Sequence, residues 1–315
     1  MLLEPTPVYS TFWQFAYERQ EIFEKRKSGY QHSYTEDPIL LKYKFTNAYR
    51  AIDRVSQFLI RDVIYPIDWS FREQIFRTLL FKLFNKISTW NLLENELGSV
   101  SFANTPFDEI DRVLTIATKT GGKIYSGAYI MPSGKTTFGF RKKHKNNLEL
   151  LALIMKDKPD LKIARMKTFR ELYCYLAQFP TIGPFLAYQY ATDINYGPHT
   201  SFSESEFVVP GPGAVSGIHK CFKNIQKGNE ARIISLVCEQ QQEELESRGL
   251  NFKYLGSRKL QFIDIQNLFC EIDKYARIAH PEIQGISKRT RIKQLFIPTP
   301  EPIEYYFPPK WSTSV

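Results

Sequence analysis

The sequence predicts a mostly α-helical fold that carries one small β-hairpin or extended insertion. Three observations predict it. Apolar residues recur at helical spacing through most of the chain, with Gly and Pro falling between the periodic stretches. Residues 121–145 break that period, and Ile124-Tyr-Ser-Gly-Ala-Tyr-Ile-Met-Pro-Ser-Gly134 is rich in Gly and β-formers, which suits a hairpin or a loop lining a cleft. Hydrophobic residues make up 43% of the 315, enough to build a core and to argue against disorder.

The elements follow in order. Phe12, Phe15, Ala16, Ile22 and Phe23 set a helix over residues 8–28, which closes on Lys25-Arg-Lys27 and stops at Gly29. Thr35 to Pro38 reads as a helix start. One helix over about 39–62 follows, with Phe45, Tyr49, Ile52, Val55, Phe58 and Leu59 on one face and Asn47, Arg50, Asp53, Arg54 and Gln57 on the other. Residues 68–97 read as a helix pair, and 107–120 and 147–156 as two more helices. Between these lies the basic run Arg141-Lys-Lys-His-Lys145, a nucleic-acid contact or a solvated loop. Helices are then expected over 169–178, from Pro184 to about Asn195, from Ala214 or Val215, over 229–248, and from Ile265 to Ala279 behind an Asp264 cap. The tail from Ile297 is Pro-rich and extended. The domain reading is one unit over 1–296, with two lobes, plus the 297–315 tail.

Lys and Arg number 42 against 33 Asp and Glu, a net charge of +9 that favours an anionic partner such as nucleic acid. The N-terminus lacks the pattern of a signal peptide, and no apolar run reaches the length of a membrane span, so a cytoplasmic monomer without membrane contact is expected. Cys174, Cys221, Cys238 and Cys270 are scattered, as are the five histidines, so no metal site is expected. No GxxxxGK[ST] P-loop occurs in these residues.

The densest signal is Leu176-Ala-Gln-Phe-Pro-Thr-Ile-Gly-Pro-Phe-Leu-Ala187. Two helices flank a Pro-Thr-Ile-Gly turn, the pattern of a helix-hairpin-helix spanning about 169–195. Gly183 is free to take positive φ, Pro184 suits the first helical turn, and the N–H groups there suit a phosphate. An ordinary αα-hairpin with a Gly-Pro turn fits the same letters.

With Lys44-Phe-Thr-Asn-Ala-Tyr-Arg-Ala-Ile-Asp-Arg54, Leu83-Phe-Asn-Lys86, Tyr125-Ser-Gly-Ala-Tyr129, Ala191-Thr-Asp-Ile-Asn195, Pro210-Gly-Pro-Gly-Ala214 and Ile263-Asp-Ile-Gln-Asn-Leu-Phe-Cys-Glu271, the hairpin resembles the helix-hairpin-helix DNA glycosylase superfamily. Within it, the chain is similar to the branch of DNA base hypermodification proteins. That branch includes the alpha-glutamyl/putrescinyl thymine pyrophosphorylases and the helical domain of 5-hydroxymethyluracil DNA kinases, with anti-phage modified-base glycosylases near it. The resemblance covers about residues 10–285. It implies a two-lobed helical glycosylase-like fold, double-stranded DNA carrying modified bases as partner, and a base flipped out of the stack for chemistry.

The main expectation is a monofunctional DNA glycosylase that excises a bulky phage-type base. The usual catalytic Asp of the superfamily is missing, with Pro-Gly near its place, and a bifunctional lysine is replaced by Phe185. The resemblance leaves Asp193 or Glu206 as the acid, with Glu204 a poorer substitute. It places Gln189, Gln266, Asn267, Cys270, Glu271, Asn47 and Tyr125 at the base, with Tyr129 as a further stacking candidate. It places Thr181, Ile182, Gly183, Phe185, Gly211, Gly213, Lys220, Lys288, Arg289 and Arg291 on DNA. No cofactor is expected beyond a monovalent cation at the hairpin. The alternative is a transferase that displaces pyrophosphate from an activated hydroxymethyluracil with an amine or amino acid, the Pro-Gly-Pro-Gly amides cradling the leaving phosphate. A non-catalytic reader of modified DNA is the third reading.

Overall fold

The computed structural model describes residues 3–29, 32–128, 131–299 and 301–312. Among them helices dominate, and one two-stranded antiparallel sheet pairs Glu4–Pro5 with Phe222–Lys223. The chain divides into two compact units: Met1–Asp53 with Glu204–Ile303, and Arg54–Ser203 with Glu304–Trp311.

The first unit is built around the Phe262–Ala279 helix. Gln261 is its N-cap and Asp264 reaches back to the Gln261 N–H at 2.9 Å, a reciprocal capping box. Asp264 therefore sits in the first turn, and the helix begins three residues before the expected Ile265. Ile265, Leu268, Phe269, Ile272 and Ala276 form its fully buried stripe. The Pro212–Cys221 helix packs on it so closely that a Cβ on Gly217 would stand 1.9 Å from the Phe269 carbonyl oxygen. The Pro7–Lys27 helix, started by Thr6 and Pro7, adds Phe12, whose ring stacks on Phe269 at 4.6 Å.

The single helix expected over 39–62 does not form. The chain is helical over Pro38–Lys42 and then runs without a helix until a 3-10 turn at Arg50–Ile52. The reason is where its amides go. Lys44 N–H donates to the Gln294 carbonyl at 3.0 Å, Thr46 N–H to the Glu271 carboxylate at 3.0 Å, Asn47 N–H to Asp53 at 2.9 Å and Arg50 N–H to Asp264 at 2.8 Å. These amides are spent on partners that a continuous helix would deny them. The expected 229–248 helix is likewise two, Glu230–Glu239 and Gln241–Glu246.

The second unit centres on the Phe71–Phe84 helix, buried on nearly every side from Gln74 onward and ended by Asn85 at φ 49°. Ile87–Leu97, Phe107–Lys119 and Lys143–Lys156 surround the core, followed by the hairpin helices Phe169–Ala177 and Pro184–Asn195. The insertion at 121–145 holds no strand among the described residues; it is irregular, with a short Lys135–Phe138 helix. Asn146 explains part of this. Its side chain accepts from Phe140 N–H and donates to the carbonyls of Phe140 and Ser133, groups that a β ladder would need. The basic run at 141–145 lies half on the helix that starts at Lys143. In the tail, Lys310 sends its ammonium to the carbonyls of Asn195, Gly197 and Thr200, closing the end of the second hairpin helix. No helix among the described residues is long and apolar enough to cross a membrane.

Candidate functional site

The hairpin forms where the letters place it, with one exchange of roles. Gly183 is the N-cap at φ −74° and ψ 169°, and the left-handed residue is Thr181 at φ 67°. The N-cap needs extended backbone, so the turn puts its reversal two residues earlier, on a β-branched side chain that disfavours it. Ile182 N–H donates to the Phe179 carbonyl at 3.2 Å and is thereby spent inside the turn, against its expected phosphate contact. Gly183 is exposed with open space where a Cβ would stand, and Phe185 lies in the first turn of the helix.

The same helix carries Gln189 and Asp193 four residues apart, and both are fully buried. The Asp193 carboxylate faces the Lys82 ammonium at 3.3 Å, and Lys82 in turn donates to the Asn85 side-chain oxygen at 2.8 Å. Sequence reasoning missed Lys82. The signal was there: one lysine inside the apolar run Leu79-Leu-Phe-Lys-Leu-Phe84 is either on a surface or paired in a core. Tyr125 packs on Phe84 with centroids 5.1 Å apart, lies under the Lys143 ammonium at 4.2 Å, and accepts a bond from Asn147 at 2.8 Å. Its ring is thus engaged in the second unit, and burial raises its phenol pKa. Tyr129 lies outside the described residues.

In the first unit the Phe262–Ala279 helix presents two adjacent stripes. Asp264, Asn267 and Glu271 follow each other at helical spacing, and the outer two hold the 46–50 loop through Arg50 and Thr46. Glu271 also pairs with Lys274 at 2.7 Å, so it anchors that loop where a base reader was expected. Asn47 donates to Asp53 from its backbone at 2.9 Å and its side chain at 3.1 Å, and takes Arg19 at 3.0 Å. Asn47 is therefore also part of the loop's own lock. Burial pushes the Asp53 carboxyl up to about 7 and the Asp264 carboxyl up to about 6. Gln266 and Cys270 form the second stripe. The Cys270 sulfur stands 3.0 Å from where a Gly213 Cβ would be. Gln266 is 1% exposed, and neither end of its amide finds a hydrogen-bond partner among the described residues.

The remaining acids and cations sort by burial. Glu204 is buried and bonded to Arg258 at 2.9 Å, whereas Glu206 is exposed. Lys220, expected on DNA, is 2% exposed and donates to the Asp273 carbonyl at 2.8 Å. It sits one turn beyond Ser216, which bonds the Asp273 carboxylate at 2.7 Å, so the lysine closes the helix pair from inside. Lys288, Arg289 and Arg291 are exposed, as phosphate contacts require. Among the described residues no group of three His, Cys, Asp or Glu side chains is placed to hold a metal.

A family described as the helical domain of 5-hmdU DNA kinase matches residues 6–285. A 5-hmdU DNA kinase of Bacillus phage SP10 is 24% identical over 290 residues, which are 84% of this chain and 45% of the relative. The chain thus spans about half the length of the curated relative it matches. No solved structure matches.

Proposed function

The chain belongs to the family of 5-hmdU DNA kinase helical domains, and from that premise we propose that it acts in DNA base hypermodification as a transferase on modified DNA. The reading takes residues 1–296 as one functional module that engages DNA through the exposed hairpin edge at Gly183 and the Lys288 to Arg291 cluster. The reaction is substitution at the 5-methylene carbon of an activated hydroxymethyluracil. The nitrogen of an amine or amino acid forms the new C–N bond and releases a proton to water, the C–O bond breaks, and pyrophosphate leaves with its electron pair.

The burial of two of the three candidate acids weighs against hydrolysis. A glycosylase needs a carboxylate able to steer water or steady a sugar cation. Asp193 is fully buried against Lys82 and Glu204 is bonded to Arg258, which leaves the exposed Glu206 as the remaining candidate acid. The family match points the same way, since it is to a helical domain of a base-modifying enzyme. The test is incubation with DNA carrying pyrophosphorylated hydroxymethyluracil, with and without a primary amine, followed by mass spectrometry of strands and released bases. An amine-bearing base in an intact strand supports transfer. A free base with an abasic strand would instead establish a glycosylase, and unchanged strands that stay bound would leave a reader.

A further inference from the structure

Residues 112–148 hold eight of the chain's 42 Lys and Arg and none of its 33 Asp and Glu, so this one stretch carries almost all of the net charge of +9. It lies wholly within the second unit and runs from the Phe107–Lys119 helix, through the irregular segment, to the Lys143–Lys156 helix. The acids that flank it are largely spent. Asp111 faces His144 at 3.1 Å and Glu109 pairs with Arg112 at 2.8 Å, while Glu149 stands exposed one turn beyond Lys145. Among the described residues the other seven cations of the stretch enter no ion pair. Soluble surfaces usually intersperse the two signs, and a single-sign field of this size is the mark of an anionic partner.

These cations are held apart on separate anchors. Lys142 Nζ donates to Thr115 Oγ1 at 2.9 Å and ties the start of one helix to the side of the other. Lys119, exposed, follows Thr115 by four residues on the same helix face. Lys86, from outside the stretch, donates to the Lys123 carbonyl and brings a further ammonium to it. Lys143 lies over the Tyr125 ring at 4.2 Å and Lys145 over the Phe140 ring at 4.5 Å. Burial lowers the pKa of Lys143, and no carboxylate offsets that. The Lys143–Lys156 helix also starts with no acid in its first turn and no side-chain cap. Arg141, Lys142, Lys143 and Lys145 therefore crowd the end of a helix dipole that favours anions, a repulsion that a bound anion relieves.

The spread selects the partner. A small anion needs donors that converge on one point, whereas cations strung along two helices and the segment between them match a regular polyanion. Duplex DNA presents one charge per about 1.7 Å of its axis. The rings on which an unpaired base would stack, Tyr125 and Phe140, each already hold an ammonium, so the surface lacks the platforms of a single-strand binder. We propose that residues 112–148 form a contact surface for the phosphate backbone of duplex DNA, additional to the hairpin edge and the Lys288 to Arg291 cluster. It grips the duplex without reading bases. The choice of DNA over an anionic membrane rests on the DNA-acting reading above; the charge pattern does not.

The test measures binding of the full chain to plain and hydroxymethyluracil duplexes by fluorescence anisotropy across a salt series, with circular dichroism to check folding. The main variant combines Lys119→Gln, Lys123→Gln and Arg141→Gln, three exposed side chains with no hydrogen-bond partner among the described residues. A control removes the same charge elsewhere, through Lys27→Gln, Lys156→Gln and Lys227→Gln, all exposed. The surface predicts that the main variant lowers the slope of log affinity against log salt by about 2.7 and weakens binding roughly 100-fold at about 0.1 M salt, equally on both duplexes, while the control changes affinity less than about threefold. An equal loss in the control overturns the proposal, because net charge alone then suffices. An unchanged slope overturns it too, as does a loss confined to the modified duplex, which marks a base reader. Binding to phosphatidylserine vesicles that depends on the stretch, with DNA affinity unchanged, overturns it in favour of a membrane. If the triple variant does not fold, Lys123→Gln alone is read, with an expected slope change of about 0.9. Stretch-dependent DNA binding without amine transfer sinks the transferase reading and leaves the surface. Amine transfer with an unchanged salt slope does the reverse.

Discussion

The two units solve the same two problems in different ways. Each starts a helix on Gly-Pro, with N-cap glycines at the same φ of −74°. In the second unit that start is bare: Gly183 is exposed and has nothing within 4 Å of a Cβ. In the first, the start that follows Gly211 is enclosed, and a Cβ on Gly213 would stand 3.0 Å from the Cys270 sulfur. Each unit also buries a carboxylate. The second sets the buried Asp193 against an ammonium, whereas the first surrounds Asp53 and Asp264 largely with amide N–H groups. Identical local chemistry thus acquires different uses from what packs on it.

The largest break in this comparison comes from Lys82→Met. It leaves the fully buried Asp193 without its cation and should cost about 3–5 kcal/mol by urea denaturation. Adding Asp193→Leu should recover much of that loss, and a double variant as unstable as the single one would contradict the pairing. Next are the two helix starts. Gly213→Ala must displace Cys270 and should cost about 1–3 kcal/mol, whereas Gly183→Ala enters open space and should cost under about 1 kcal/mol. Equal costs would show that the enclosure of the first start is unimportant.

The carboxylates give a pH signature of smaller size. Burial raises the folded pKa of Asp264 to about 6 and of Asp53 to about 7. A raised carboxyl contributes stability that is full below its unfolded pKa of about 3.9 and is lost as pH rises through the folded value. Denaturation midpoints should therefore fall between pH 4 and 8 (about the span from the unfolded to past the folded values), and Asp53→Asn should flatten the upper part of that fall. An unchanged slope in the variant would assign the effect to other groups. Asp53 is faced by Arg19, Arg50 and Glu271, so those three residues are the controls. The smallest effect is electrostatic. Replacing Lys288, Arg289 or Arg291 singly with Ala should lower the salt dependence of DNA affinity by about one unit of slope each, and Lys220→Ala, being internal, should leave that slope alone.

Much of this was legible in the letters, and the failures have physical causes. The hairpin helices are marked by Thr168 to Glu171 capping and by Gly183-Pro184, local signals that tertiary contacts do not override. The 39–62 stretch has a helical apolar period, yet Glu271, Asp264 and Asp53 capture its amides from residues near and far. Such capture has no local signature. The polar set Asn47, Arg50 and Asp53 was visible as a group, though its work is to lock a loop. Burial of Lys220 and Asp193 was invisible for a related reason: a helix hydrophobic on most sides has no polar face to read.

The Lys310 cap on the hairpin's second helix has a consequence for synthesis. The second unit is encoded by residues 54–203 and then by 304–311, with the larger part of the first unit between them. At roughly 5–20 residues per second, the hairpin emerges some 5–20 s before the lysine that satisfies the carbonyls of Asn195, Gly197 and Thr200. During that interval the end of the helix is left to water. The first unit waits as well, since its opening helix needs Phe269. Neither unit can finish before its late segment emerges, and the hairpin is sealed only once residue 310 has been made.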